Sequence, residues 1–348
     1  MKHWWKVLAM LLLIYSAIFS FWHPLDPGVL DVRGEAFHPG DNTIELVGYS
    51  THFSAGESSM QAFLKSGSTE ILKASSIEVR DDAHALLHFQ LTDTIPSDDL
   101  GIYVNNDVDG TIYFTSTLGT EGLQVNSQAT WPKTAITVSQ EEFNGFGYPF
   151  QPNIMESIRN LVWHVPMWFT MFTLMFISFF WSLRVMAAKH NLNQHRFDTK
   201  ASSSAHVGLV FCMLGLITGS IWARFTWGAW WTRDPQLNGS MLVFIMYVAY
   251  FILRNTVRDD QKRARLSAIF NVFACIMMVM LLLILPRFAA GLHPGKSGNP
   301  AFSKYDLDSS LRTVFYPACA GFILLGYWLY TLVLRIKNKE HELASRMQ

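Results

Sequence analysis

Six stretches of the chain run without Asp, Glu, Lys or Arg for about the length of a bilayer crossing: 7–25, 160–183, 201–223, 235–253, 266–286 and 313–334. A helix rises about 1.5 Å per residue, so roughly 20 uncharged, mostly apolar residues cross a hydrocarbon core near 30 Å. The pattern predicts six transmembrane helices. The fourth is the weakest, since its apolar part begins only near Met241. It is kept because an odd number of spans breaks the charge pattern of the connections. The first could be a secretory signal, with Lys2 and Lys6 ahead of an apolar run, but Phe19-Ser20-Phe21-Trp22-His23-Pro24 is bulky and has no small-x-small cleavage site. It reads as a retained anchor. Residues 26–150 follow another rhythm. Short alternating runs at 43–47, 85–91 and 110–114 are separated by turn-forming pieces at 39–42, 81–82 and 105–107. Alternation with period two predicts half-buried antiparallel strands, and a small sandwich is expected. The organisation is then a first transmembrane helix in 1–25, a β-rich insertion at 26–150, and a five-helix membrane domain at 151–348. In fold class this is an all-α polytopic membrane protein carrying an inserted β-rich, sandwich-like domain.

Charge gives the orientation. Fifteen Lys and Arg lie in the N-terminus, the 184–200 and 254–265 connections and the C-terminal tail, against six in the opposite short connections. The positive-inside rule places the first set in the cytoplasm, so both termini are inside. The 26–159 segment, the 224–239 loop and the 287–312 loop then face outside. Composition agrees with a membrane protein: 50% of residues are hydrophobic and 16% charged, against about 25% charged in a soluble protein. Lys+Arg and Asp+Glu are both 27, so the chain lacks the basic surplus by which proteins displace counterions from nucleic acid. Cys212, Cys275 and Cys319 lie in apolar stretches with no C-x-x-C pair. That excludes a disulfide framework, a zinc ribbon, a thioredoxin-like motif and a covalent c-haem site.

Of the 12 His, three lie near the outer membrane face: His23, His164 and His293. A polar group beside hydrocarbon needs a partner. His164 sits in Trp163-His164-Val165-Pro166 at the outer start of the second span, where Pro166 suits a first helical turn. His293 sits in Gly291-Leu292-His293-Pro294-Gly295, just past the fifth span. Each alone reads as a polar cap at the interface. As a pair from different segments at one depth, they could ligate one metal from opposite sides. The loop Trp222-Ala223-Arg224-Phe225-Thr226-Trp227-Gly228-Ala229-Trp230-Trp231-Thr232-Arg233-Asp234-Pro235 sharpens the choice. An aromatic belt needs no set order, whereas here three Trp fall within five residues, beside a Gly and before an Asp-Pro. A flat aromatic shelf next to two His suits haem, whose faces are apolar and whose iron takes His axially. Arg224, Arg233, Arg287 and Arg312 lie on the side where its propionates would need cations, or serve as plain interfacial anchors. The four His of the insertion, His38, His52, His84 and His88, read as solvated rather than as metal ligands.

Trp227-Gly228-Ala229-Trp230-Trp231-x-x-Asp234 resembles the tryptophan-rich W-G-x-W-W-x-x-D signature of the haem-handling membrane proteins of cytochrome c biogenesis, and most closely that of haem exporter protein C, the CcmC family. Leu161-Val162-Trp163-His164-Val165-Pro166 resembles that family's L-H-V-P segment. Leu216-Ile217-Thr218-Gly219-Ser220-Ile221-Trp222 resembles its T-G-x-x-W run, and His293 stands where its second histidine does. The likeness covers roughly 4–25 and 152–335. It implies a bacterial inner-membrane protein of cytochrome c maturation, not an enzyme and with no catalytic residue, whose Trp-rich loop and inserted domain are periplasmic. It implies haem b held non-covalently, with His164 and His293 as axial iron ligands. Trp227, Trp230 and Trp231 would flank the porphyrin or dock a chaperone over it, Gly228 would allow close approach, and Asp234 would shape the loop or bond a loop donor. The implied partners, besides membrane lipid, are a periplasmic haem chaperone resembling CcmE, the ATP-binding-cassette subunits CcmA and CcmB, and the small membrane protein CcmD. Two departures stand out: Arg233 occupies the place of a fourth family Trp, and the insertion at 26–150 replaces a short connection. The insertion is expected either to dock the chaperone or an apocytochrome or to cover the haem site.

Bis-His ligation fits carriage rather than oxygen chemistry, and the Gly- and Pro-rich stretch after His293 makes that His the candidate to leave the iron on release. Three other readings compete. A haem ligase or exporter component like CcmF or CcsA would carry more spans and further membrane His. A b-type cytochrome subunit would pair His inside facing helices, which these spans lack. A cofactor-free scaffold would work through its β domain.

Overall fold

The computed structural model describes residues 3–67, 70–115, 118–131, 147–152, 154–293 and 307–347. The Gly- and Pro-rich stretch that follows His293, and positions 143–146 of the segment returning to the membrane, lie outside the described residues. The chain divides into two compact units, Met1–Trp22 with Glu156–Gln348, and His23–Met155. Helix α1 (Trp4–Trp22) belongs to the first.

The second unit contains β1 (Gly28–Gly34), β2 (Gly40–Tyr49), the one-turn helix α2 (Phe53–Gly56), β3 (Gln61–Ser66), β4 (Glu70–Lys73), β5 (Ser76–Val79), β6 (His84–Leu91), β7 (Thr94–Ile95), β8 (Leu100–Asn106), β9 (Gly110–Thr115) and β10 (Gln124–Val125). Two antiparallel four-stranded sheets form, in the orders β1-β2-β6-β5 and β4-β3-β8-β9. Alternation decides which residues they bury: along β6, Ala85, Leu87, Phe89 and Leu91 point inward. They share one core with Ile44 and Leu46 of the same sheet and Ala62, Leu64, Ile102 and Val104 of the other. The sandwich is therefore the one the alternation predicts.

Two expected turns move. Residues 40–42 open β2 instead of forming a turn, and Asn105 and Asn106 end β8. In both places an Asn side chain closes the turn while its backbone stays on the strand. Asn42 Nδ2 donates to the His38 and Gly40 carbonyls at 2.7 and 3.0 Å, and Asn106 Oδ1 accepts from Val108 and Asp109 amides at 2.9 and 2.6 Å. The Asp81-Asp82 turn lies where predicted. There the Ala83 amide, then the His84 side chain, hold the Asp81 carboxyl below its ordinary value.

The membrane unit adds α3 (Leu161–Ala187), α4 (Asn191–Trp227), α5 (Pro235–Thr256), α6 (Asp260–Val279) and α7 (Ser309–Met347). Six helices, including the weak fourth, are long and apolar enough to cross a membrane. Helix α3 packs on α4, α6 and α7, and α1 lies on α7. Pro166 is not in the first turn of its helix. It is buried inside α3, because the chain is already helical from Met155 in a 3-10 turn that runs into Leu161. Its ring forgoes a bond to the Val162 carbonyl.

At the end of the helices that bears both termini, the Arg254 guanidinium grips the Asp198 carboxylate at 2.6 and 2.7 Å. Asn271 Nδ2 donates to Ser178 and Ser182 at 2.7 and 2.8 Å. Bidentate geometry offsets the cost of burying that ion pair. The histidines in question lie at the opposite end.

Candidate functional site

His164 is the fourth residue of α3, and one face of α4 is shaped around it. Thr218 Oγ1 spends its only proton on the Leu214 carbonyl at 2.9 Å, so it accepts from the His164 Nδ1–H at 3.0 Å. Gly219 stands directly against the ring: a Cβ there would lie 2.6 Å from His164 Cε1. Trp222 meets the imidazole edge-on, with centroids 5.8 Å apart. The T-G-x-x-W run is thus a cradle for one histidine. With Nδ1 protonated, Nε2 holds the lone pair, and it accepts the Trp168 indole N–H at 3.3 Å. Trp168 lies one helical turn beyond His164 on the same face, the i,i+4 spacing at which side chains meet. That spacing was legible, and sequence reasoning missed it.

Asp234 organises the second histidine. Its side chain caps α5, with Oδ1 accepting from the Gln236 and Leu237 amides at 2.8 and 3.2 Å, and Pro235 fills the first helical position. The same Oδ1 accepts from His293 Nδ1–H at 2.8 Å, and Oδ2 accepts from the Leu292 amide at 2.8 Å. The carboxylate side chain is wholly buried. Helix α6 delivers the chain to this point through a π turn at Met280–Ile284 and a 3-10 turn at Leu285–Phe288 that contains Pro286. A carboxylate behind Nδ1 fixes the tautomer and leaves the lone pair on Nε2, as carboxylates do behind metal-bound histidines.

The Trp-rich loop joins the two halves. Trp227, the last residue of α4, stands edge-on to His293 with centroids 5.0 Å apart. Trp222 and Trp227 thus reach His164 and His293 from one helix, separated by about 7.5 Å of axial rise. Gly228 ends α4 in the left-handed region, at φ +74°, with open space about its Cα. A side chain there would be strained. Arg224 donates to the Gly228 carbonyl and closes the same helix end. Ser220 donates to the Trp230 carbonyl at 2.8 Å, and the Trp231 indole donates to Asn238 Oδ1 at 3.1 Å. Trp230 and Trp231 are 59% and 37% exposed, so both rings can meet a visitor. Of the four arginines singled out in the sequence, Arg312 has a buried Nε with no hydrogen-bond partner among the described residues, whereas Arg287 is exposed.

The fold and site define a polytopic membrane protein that sets two histidines, each with its Nδ1 proton committed, beside a tryptophan-rich turn at one end of its helices. The family model described as CcmC, Heme exporter protein C, matches residues 129–348. The chain therefore belongs to the heme exporter protein C family. It is 26% identical over 190 residues to Heme exporter protein C of Paracoccus denitrificans, covering 54% of this chain and 76% of that protein. It is 23% identical over 177 residues to the protein of that name from Escherichia coli K12, covering 51% and 65%. Cytochrome c biogenesis protein CcsA of Prochlorococcus marinus subsp. pastoris is 35% identical over 104 residues, covering 29% of this chain and 31% of that protein.

Proposed function

We propose that this protein handles haem for cytochrome c biogenesis, carrying haem b as non-covalent cargo between axial His164 and His293. The observation that carries the reading is the matched hydrogen bonding of the two rings at Nδ1. Thr218 and Asp234 each accept a hydrogen bond from an Nδ1–H, leaving two Nε2 lone pairs beside one aromatic turn. Imidazole Nε2 is the donor haem iron takes, and the apolar Trp faces suit a porphyrin plane. Arg312, whose buried Nε has no hydrogen-bond partner among the described residues, would supply an N–H for a propionate. In the orientation given by the positive-inside rule, both termini are cytoplasmic in a bacterial inner membrane, and the site and the inserted β unit face the periplasm. From there the haem passes to a chaperone resembling CcmE, and subunits resembling CcmA, CcmB and CcmD assemble with the chain. The protein acts as a carrier, not an enzyme. The match to the Prochlorococcus CcsA covers less than a third of either chain, against 54% and 76% for the Paracoccus Heme exporter protein C, which favours this reading over a ligase.

The visible absorption spectrum of the purified protein tests it. A low-spin bis-His haem spectrum is expected in the wild type, altered or lost in both His164→Ala and His293→Ala. A haem-free wild type from haem-replete cells, or variants with unchanged spectra, removes the ligand assignment.

Iron and the Trp168 indole compete for one lone pair on His164. Trp168→Phe removes the N–H and keeps the ring. A neutral hydrogen bond is worth about 1 kcal/mol, so haem titration should show affinity raised by about fivefold. Unchanged affinity would mean that this bond does not oppose ligation.

A further inference from the structure

A groove of about 590 Å³ opens between α3 and α7, lined chiefly by Phe176, Ile177, Phe180, Trp181, Tyr327 and Tyr330. Phe176, Phe180 and Tyr327 are 45%, 47% and 44% exposed, so the groove belongs to the outer surface of the membrane unit. It is remote from the histidine site: Phe176 lies about 18 Å along the α3 axis from His164, toward the terminus-bearing end. Aromatic side chains on a lipid-facing surface need no special account on their own. What marks this groove is the pair of cations stacked on two of its wall residues. The Lys200 ammonium sits 3.9 Å from the Trp181 ring centroid, and the Arg184 guanidinium 5.1 Å from that of Phe180. Each cation is therefore stacked on a residue of the groove wall. Neither is ion-paired with a carboxylate among the described residues. Arg196, one turn before Lys200 on α4, adds a third positive charge on the same helix face.

An apolar slot in the hydrocarbon region, capped by cations where the chain meets water, matches one chemistry. We propose that this groove binds a phospholipid with an anionic headgroup, its phosphate against Lys200 and Arg184 and one acyl chain along Phe176, Phe180 and Tyr327. Basic pockets between transmembrane helices recognise such headgroups. The lining on α3, from Thr173 to Trp181, runs for about 12 Å, enough for the headgroup-proximal part of one acyl chain. A partner's apolar helix could cover the aromatic wall but would leave the cations unanswered, so charge complementarity favours the lipid. The inference needs only that the helices sit in a bilayer, and it stands apart from the haem reading.

Native mass spectrometry of the full-length protein in detergent tests it, with an equimolar mixture of dioleoyl phosphatidylglycerol and dioleoyl phosphatidylcholine. The wild type should retain phosphatidylglycerol in clear preference. Each cation near the headgroup is worth about fivefold in affinity, so the Lys200→Gln/Arg184→Gln double variant should lose about twenty- to thirtyfold of that preference. Ile177→Trp, which fills the groove, should lower retention of both lipids. Circular dichroism checks that each variant keeps its helices. Equal retention of the two lipids by the wild type overturns the proposal, as does an unchanged preference in the double variant. So does loss of a co-purifying single-span protein in Ile177→Trp with lipid retention unaltered.

Discussion

Asp234→Ala should cost the protein its haem as fully as His293→Ala does, and lower its melting temperature as well. One carboxylate caps α5, holds the Leu292 amide and fixes the His293 ring. Losing the cap costs about 1 kcal/mol. Each hydrogen bond to the buried charge adds roughly 1.5–3 kcal/mol, so the total is several kcal/mol, concentrated where the second ligand is positioned. Asp234→Asn separates the two roles. Asn caps a helix about as well as Asp, but its neutral oxygen is a weaker acceptor for the His293 proton. That variant should keep most of the stability and show weakened haem binding. Thermal unfolding followed by circular dichroism, beside Soret absorbance, reads both quantities. A wild-type spectrum in Asp234→Ala would show that His293 needs no anchor.

Gly219→Ala is the second large effect, and it is steric. The new methyl carbon would lie 2.6 Å from His164 Cε1, closer than unbonded carbons approach, on a helix whose backbone cannot yield. The imidazole has to swing, and in swinging it leaves Thr218 and the edge of Trp222. Overpacking of this kind costs about 1–3 kcal/mol, or roughly five- to 150-fold in haem affinity if charged to the site alone. Helix content should be unchanged, since Ala favours helix over Gly. Haem binding equal to wild type in this variant would mean that His164 is free to move and is not held by α4.

The six spans were legible because hydrocarbon tolerates no unpaired charge over about 20 residues, a constraint visible in any sequence. The sandwich was legible for a related reason, since a sheet with one wet face writes its alternation into β6 and β2. The Trp-rich turn and both histidines could be singled out from local residue type and depth. Their supports could not. Asp234 and His293 are 59 positions apart and His164 and Thr218 are 54, so only the packing of α3 on α4, and the return of the chain after α6, brings them together. The displaced turns at Asn42 and Asn106 failed for another reason. An Asn signals a turn whether its backbone or only its side chain makes it. Pro166 misled in the same way, as a residue that suits a helix start but lies inside one that begins earlier.

Helices α4 and α7 contain 37 and 39 residues, about 56 and 58 Å of helix, against a hydrocarbon core near 30 Å. The surplus is not shared between the ends. The polar first turns of α4 and the charged tail of α7 both lie at the terminus-bearing end, while Trp222, Trp227, Trp230 and Trp231 mark the other as an interfacial anchor. Hydrophobic mismatch is therefore absorbed on one side only. In a thicker or thinner bilayer the overhang should slide through the headgroups while the Trp-rich end stays at its interface, so haem carried between the two imidazoles, as proposed, would keep a constant depth below that surface.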